Sequence, residues 1–454
     1  MNEKHRFASH AAKHDRWPNV AKLIFLAAIA IRLPLLFVPG FPADQTQFVH
    51  WAYLTKAQGL AAVYAKQPNG RYFCNYPPGY ILVLRGLAEF QDAIAPPGAK
   101  LTDSTAANIW NRTADESAKY AIRLHKMPAL FADALLATVL FLCLRERLSK
   151  TTACVVAGVY AISPAVLHDS CVWGQVDSIH TLLLVLSVEA ARRRRVTWMS
   201  LCATMAMLFK AQSIILLPLW AAVGWICLQG RPRELVKTLA AIVVPVVVLL
   251  MPFFDALGGV WNAYAGAATT YPFTHLNGFS AWFLSAPMTE PHLSESLANW
   301  YARDDSTWAF GLSARSWGMI GVLLLWTRVM FSLIRHRADD QSLRWAVRVL
   351  PLGFFLLSTQ MHERYLFPAI ALWAWSASAT VRWWAAWIVL SLCAAANMIW
   401  VWAGPFTSIQ SALWGNILGG SSGIMCALVL CIVACIAWFD AMDRREPSQA
   451  NQAA

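Results

Sequence analysis

Five short polar clusters interrupt an otherwise apolar chain: Asp44; Tyr76-Pro77-Pro78; Trp173-Gly174-Gln175-Val176-Asp177; Lys210-Ala211-Gln212; and His362-Glu363-Arg364-Tyr365. Asp44 follows the turn-forming run Pro39, Gly40, Phe41 and Pro42, where a carboxylate can act as a general base toward an arriving hydroxyl group. The same position suits an N-cap for a helix starting at Gln45, and the two roles are compatible. Asp177 invites the same pair of readings. The string ahead of it adds an aromatic face, a close backbone approach at Gly174 and an amide at Gln175, a set that fits a sugar or its carrier.

Lys210 and Gln212 stand at the outer end of an apolar run, where a cation either snorkels to the headgroups or holds a lipid phosphate. Arg364 can grip a phosphate with a fork of donors, and His362 can donate a hydrogen bond or a proton. Four consecutive polar or amphipathic groups, His362 to Tyr365, are costly in an apolar hairpin unless they are partnered or solvated. Lys126 and Asp133 are seven residues apart and share one helical face, which makes them a polar seam with either a structural or a substrate role.

The elements that must carry these residues follow from composition. Of 454 residues, 58% are hydrophobic and only 14% charged, and the mean hydropathy is +0.46, so the expected class is an all-α polytopic membrane protein. Apolar runs of about 20 residues suit helices crossing a ~30 Å hydrocarbon core, and a β-barrel would show shorter alternating segments. Twelve spans are expected, at about 21–38, 120–144, 151–168, 177–191, 197–211, 213–229, 236–253, 315–334, 344–361, 365–381, 384–402 and 422–439. The basic clusters then share one side: Lys4 to Lys22; Arg145, Arg147 and Lys150; Arg192 to Arg195; Arg231, Arg233 and Lys237; Arg335 and Arg337; Arg382; Arg444 and Arg445. The positive-inside rule makes that side, and both termini, cytoplasmic. All five polar clusters fall on the opposite side.

The net charge of +12 is therefore a topology signal, and basic patches scattered over separate loops without interleaved aromatic residues argue against a nucleic-acid partner. The first apolar run reads as a retained signal anchor, being long and without a small-residue cleavage site. Eight of the ten cysteines lie within spans as small packing residues, while Cys74 and Cys171 lie outside and could pair. Short tails, 1–20 and 441–454, flank one membrane domain over 21–440 with two long outer loops, 39–119 and 254–314. In the first loop Phe48, Trp51, Ala52, Leu54, Leu60 and Tyr64 recur at helical spacing, predicting an interfacial helix. Gly79 to Phe90 predicts a short interfacial or re-entrant helix, about 18 Å long. The second loop is rich in aromatic residues from Trp261 to Trp282.

In this order, Asp44, Asn75-Tyr76-Pro77-Pro78, Lys126-Met127-Pro128 with Asp133, Trp173-Gly174-Gln175-Val176-Asp177, Lys210-Ala211-Gln212 and His362-Glu363-Arg364-Tyr365, the chain resembles the GT-C-fold glycosyltransferases that use polyprenyl-phosphate sugars. It is most similar to bacterial relatives of the GPI-anchor mannosyltransferases, and more distantly to the dolichyl-phosphate-glucose enzymes; the likeness runs over about 20–370. The resemblance implies an inverting enzyme of the bacterial inner membrane. It would move a mannose- or glucose-type hexose from a polyprenyl-phosphate donor to a lipid-linked or other membrane-presented acceptor on the periplasmic face. It implies Asp44 as the catalytic base. Lys210, Arg364, Lys126 and His362 would lie around the donor phosphate, with Tyr76, Trp173, Gln175, Asp177, Gln212, Glu363 and Tyr365 around the substrates. Many members carry paired acidic residues in the first loop, whereas Gln45 follows Asp44 here, so no cofactor is expected and a divalent metal is not supported. Two other classes remain open: a multispan transporter or lipid flippase, which usually shows internal repeats and a midplane site, and a scaffold binding glycolipid through 254–314.

Overall fold

The computed structural model describes residues 17–65, 74–96, 100–101, 115–266, 271–285, 302–403 and 420–439. It is an all-α polytopic membrane protein. Helix α1 (Trp17–Arg32) runs into a 3-10 turn and a strap that leads to α2 (Pro42–Gln58), and α3 (Pro78–Ile94) packs against α2. The long α4 (Glu116–Leu144) follows, then α5 (Lys150–Ile162), the short α6 (Pro164–Leu167), a π-helical turn over His168–Trp173, α7 (Asp177–Arg192), α8 (Val196–Phe209) and α9 (Leu217–Leu228). Beyond these come α10 (Pro232–Leu250), α11 (Leu257–Ala265), α12 (Ala281–Ser285), a small hairpin of β1 (Thr307–Ala309) and β2 (Leu312–Ser313), α13 (Ala314–Arg335), α14 (Asp340–Leu357), α15 (Phe367–Trp375), α16 (Val381–Ala403) and α17 (Gly420–Phe439).

Among the described residues six helical stretches are long and apolar enough to cross a membrane, and seven if the bent pair Lys150–Ile162 and Pro164–Trp173 is one span. The other expected spans contain helices that fall short of this standard. α7, α8 and α15 have 16, 14 and 9 residues, and α14 carries Asp340, Arg344 and Arg348. The bend between α5 and α6 is 46° and falls at Ser163-Pro164. Proline lacks the N–H that would continue the helix and pushes the residue before it to extended geometry, as seen in the ψ of 125° at Ser163.

Two expectations change. The first-loop helix is not a surface element: Gln45, Thr46, Phe48, Val49, Trp51, Ala52, Tyr53 and Thr55 are all buried. α3 has 17 residues, about 25 Å at 1.5 Å per residue, rather than the shorter piece expected, because the helix continues past Phe90 to Ile94, where Asp92 accepts from Tyr53 and pairs with Lys56 of α2. Cys74 and Cys171 are both free; the Cys74 thiol lies against the carbonyl of Tyr76.

Among the described residues most of the apolar interior falls into two bodies, beside a small third cluster of Phe279, Phe283 and Ala427. One gathers α1, the C-terminal part of α4, α5 and α7 to α9 with α13 to α17, and includes Phe41 and Trp173. The other gathers α2, α3 and the start of α4 around Phe48, Tyr76, Tyr80 and Val176. Asp44 lies between Phe41 of the first and Phe48 of the second, and Gln175 lies between Trp173 and Val176. The polar residues therefore occupy the seam where the two apolar bodies meet. A lipid-facing surface is provided by α10, whose Val236, Val243, Val247 and Val248 are exposed.

Candidate functional site

Asp44 is in the first turn of α2 but does not cap it. The capping position is Phe41, so the carboxylate is free of that duty and turns toward the π-helical segment. Its Oδ2 accepts hydrogen bonds from Trp173 Nε1 and Gln175 Nε2, both at 2.6 Å. Its Oδ1 stands 4.0 Å from Arg364 Nη2, and the side chain keeps 16% of its surface exposed. One oxygen is thus fixed by two donors while the other faces a guanidinium.

That geometry depends on Gly174. Its φ of +85° is in the left-handed region, where a side chain is strained, and a Cβ there would lie 2.4 Å from Gln45 Nε2 and 2.8 Å from Lys126 Cγ. Gln45 uses the space to donate to the carbonyls of Trp173 and Gly174, at 3.2 and 2.9 Å, while Phe41 N–H donates to Trp173 O and the Phe41 ring stacks on the indole at 4.1 Å. Gln45, which follows Asp44 directly, is here a clamp between α2 and the π turn. On the other side of the seam Tyr76 donates its hydroxyl to Gln175 Oε1 at 3.0 Å. Burial, with Asp177 and Asp44 nearby, pushes the Tyr76 phenol well above its ordinary value despite Arg364, so it stays a donor.

Asp177 is not an N-cap either, since Val176 occupies that position. The Asp177 carboxylate pairs with Lys210 and lies 3.4 Å from His180 Nε2, while His180 Nδ1 meets Ser213 Oγ at 3.0 Å. Lys210 is therefore committed to a buried partner rather than reaching toward headgroups. Its ammonium also lies 5.2 Å from the ring centre of Tyr365, and Gln212 Nε2 donates to Tyr365 O at 2.7 Å.

The turn between α14 and α15 is packed rather than solvated. Arg364 donates to Glu363 Oε1 at 2.6 Å and its guanidinium lies 5.8 Å from the Trp173 ring centre, leaving Nε without a hydrogen-bond partner. Burial alone would lower the Arg364 value, but the carboxylates of Asp44 and Glu363 outweigh it and hold it raised. Burial would raise Glu363; Arg364 overrides that and holds it below the usual carboxylate range. His362 is lowered by burial and then by Arg364, which keeps its ring neutral. The turn is fastened by the second outer loop. Leu276 and Gly278 donate their N–H groups to Met361 O, at 2.9 and 3.0 Å, and Asn397 of α16 accepts from Phe279 N and donates to Asn277 O. Asp304, fully buried, gathers Arg315, Thr359 and Gln360 just ahead of the turn.

The twelve residues expected at the site all belong to this contiguous assembly, and Lys126 has a bracing duty within it. Lys126 donates to the carbonyls of Leu35 and Val38, at 3.1 and 2.8 Å, so it braces the strap leading to Asp44. Asp133 does not pair with Lys126: it accepts from Arg32, Tyr160 and Ser170. Arg32, Asp169 and His180 also stand in or beside this assembly, although none of them stands out in the sequence. Asp169 is fully buried next to the motif, and neither carboxylate oxygen has a hydrogen-bond partner; an acidic residue four ahead of Trp173 was the available signal. Among the described residues no group of three or more His, Cys, Asp or Glu side chains is arranged to hold a metal ion.

No family model matches this chain, and no curated protein matches it. The functional reading therefore rests on the residues and their geometry.

Proposed function

We propose that this protein is an inverting glycosyltransferase of the bacterial plasma membrane, carrying a mannose- or glucose-type hexose from a polyprenyl-phosphate donor to a lipid-linked or other membrane-presented acceptor. In this reading the chain has twelve spans with both termini cytoplasmic, and the seam opens to the periplasmic side. The observation that carries it is the divided environment of Asp44: Oδ2 is held by Trp173 and Gln175, while Oδ1 is left beside Arg364. A carboxylate fixed through one oxygen offers the other to a proton.

The acceptor hydroxyl then loses its proton to Asp44 as its oxygen bonds to the anomeric carbon. The bond from that carbon to the phosphate oxygen breaks, and polyprenyl phosphate leaves as an anion. The departing charge needs a cation more than a proton. Arg364 is the best-suited partner, with a free Nε and a planar fork matched to phosphate. Lys210 contributes field from its pair with Asp177, and Lys126 from beneath Gly174. Trp173 and Tyr365 supply aromatic faces, Tyr76, Gln175, Gln212 and His362 supply polar groups, and Asp177 and Glu363 orient the cations.

A lipid flippase is the second reading, favoured by the 46° break and π turn that run straight into the polar seam, since transporters build sites on broken helices. One experiment separates them. The purified protein is incubated with a panel of polyprenyl-phosphate hexoses and membrane-presented acceptors, with and without a chelator, and released polyprenyl phosphate is measured. Release coupled to hexose transfer is the expected result. Lipid movement in vesicles without any release would replace the enzyme with the flippase.

A further inference from the structure

Outside the residues assigned to the substrates, a fully buried polar network is centred on Arg32 and Asp133. Arg32 is the last residue of α1 and is wholly buried. Its Nε donates to Asp133 Oδ2 at 2.9 Å, Nη2 lies 2.9 Å from the same oxygen, and Nη1 donates to Ala28 O at 3.0 Å. The other oxygen of Asp133 accepts from Tyr160 on α5 at 2.8 Å, and Oδ2 also accepts from Ser170 at 2.8 Å. Asp133, Tyr160 and Ser170 are as fully buried as Arg32.

Such a pair is costly to bury, and well-packed apolar residues often serve stability equally well. What apolar residues could not do is hold a particular turn at a particular register. Ser170 is inside the π-helical turn, an arrangement rare in itself. The turn closes with the N–H groups of Gly174 and Gln175 on the carbonyl of Asp169, at 3.1 and 2.9 Å, and it delivers Trp173 and Gln175 to Asp44. Arg32 also begins the strap, braced by Lys126, that delivers Asp44 from the other side. The contacts form a closed ring: from Arg32 along the chain to Asp44, across to Trp173, back to Ser170, to Asp133 and again to Arg32.

We propose that Arg32, acting through Asp133 and Ser170, is a positioning residue that sets the distance between Asp44 and the Trp173-Gln175 donors. It touches no substrate; it fixes both chain segments that meet at the base. The inference rests on the transferase reading for its kinetic consequence and on geometry alone for the mechanical link.

Two measurements on the full-length protein, with Ser170→Ala and Arg32→Lys, test it. Hydrogen exchange should rise in peptides covering 168–177 and 41–46 and stay unchanged in α13 and α14. In the transfer assay kcat should fall on the order of 10- to 100-fold while donor KM stays within about twofold, as expected for reacting groups displaced by a fraction of an ångström. Ser187→Ala, which removes a buried hydroxyl bonded to Trp220 far along α7, should leave both readouts at the wild-type level. Unchanged exchange at 168–177 overturns the link, and raised exchange with an unchanged kcat overturns the positioning role. If the wild type transfers no hexose, the transferase reading falls, and the exchange result still decides the link.

Discussion

Trp173 and Asp44, 129 residues apart, are joined by a hydrogen bond of 2.6 Å from the indole Nε1 to Oδ2. Gln175 doubles it on the same oxygen. Everything proposed for this protein turns on that asymmetry, because it separates the oxygen that is held from the oxygen that can work. Arg364 then completes the environment from a third element.

Arg364→Gln removes the guanidinium while keeping a polar side chain beside Glu363. It should weaken binding of a polyprenyl-phosphate donor by about tenfold or more, since a charge-assisted contact contributes roughly 1.5–3 kcal/mol. Titration of the purified variant with a fluorescent polyprenyl phosphate reads this directly, and an unchanged affinity would remove Arg364 from the phosphate site.

Gly174→Ala should be destabilising as well as inactivating. An alanine at φ +85° is strained by roughly 1–3 kcal/mol, and its Cβ would displace Gln45 and Lys126. A lowered Tm in detergent, with kcat reduced in the fraction still folded, is expected. A variant with wild-type Tm and turnover would mean the turn tolerates a side chain.

Asp177 and Lys210 should show strong coupling. Asp177→Asn or Lys210→Met alone leaves one buried charge without its partner, a loss of about 3–5 kcal/mol. The double variant should lose less than the sum of the two. Thermal unfolding of all four proteins gives the coupling, and strictly additive losses would show that the pair is not energetically joined.

Acid should loosen the turn that carries Arg364. The folded-state value of His362 is lowered from 6.5, so the unfolded chain binds more protons below that pH, and the contribution of the neutral ring, complete above 6.5, is lost as pH falls through the folded value. Glu363 is also lowered in the fold, from 4.5, and its contribution is lost in the same direction at lower pH. Tm should therefore drop on acidification from pH 7 to 5, and His362→Asn should flatten that drop. The same slope in wild type and variant would assign the acid sensitivity elsewhere.

Membership of the site was legible in the sequence because polar residues are conspicuous in an apolar chain. Their pairings were not. Arg32 lies inside the first expected span, 21–38, as a lone cation with nothing near it in the sequence to mark a partner; only the fold shows that it meets Asp133 from another helix. Lys126 and Asp133 share a helical face, but the strap at Leu35 to Val38 and the π turn at Ser170 reach them first. Asp44 and Asp177 both read as caps, yet Phe41 and Val176 take those positions. The helix count was harder still, because α7, α8 and α15 are short and are stabilised by packing that periodicity does not reveal.

The role proposed for Asp44 is that of the base in a hexosyl transfer. Turnover of a polyprenyl-phosphate hexose by purified Asp44→Asn, measured beside the wild type with donor affinity determined on the same samples, tests it most directly. A positioned base contributes roughly 10²- to 10⁴-fold, so turnover should fall at least about a hundredfold with donor affinity little changed. Near wild-type turnover in Asp44→Asn would contradict the assignment.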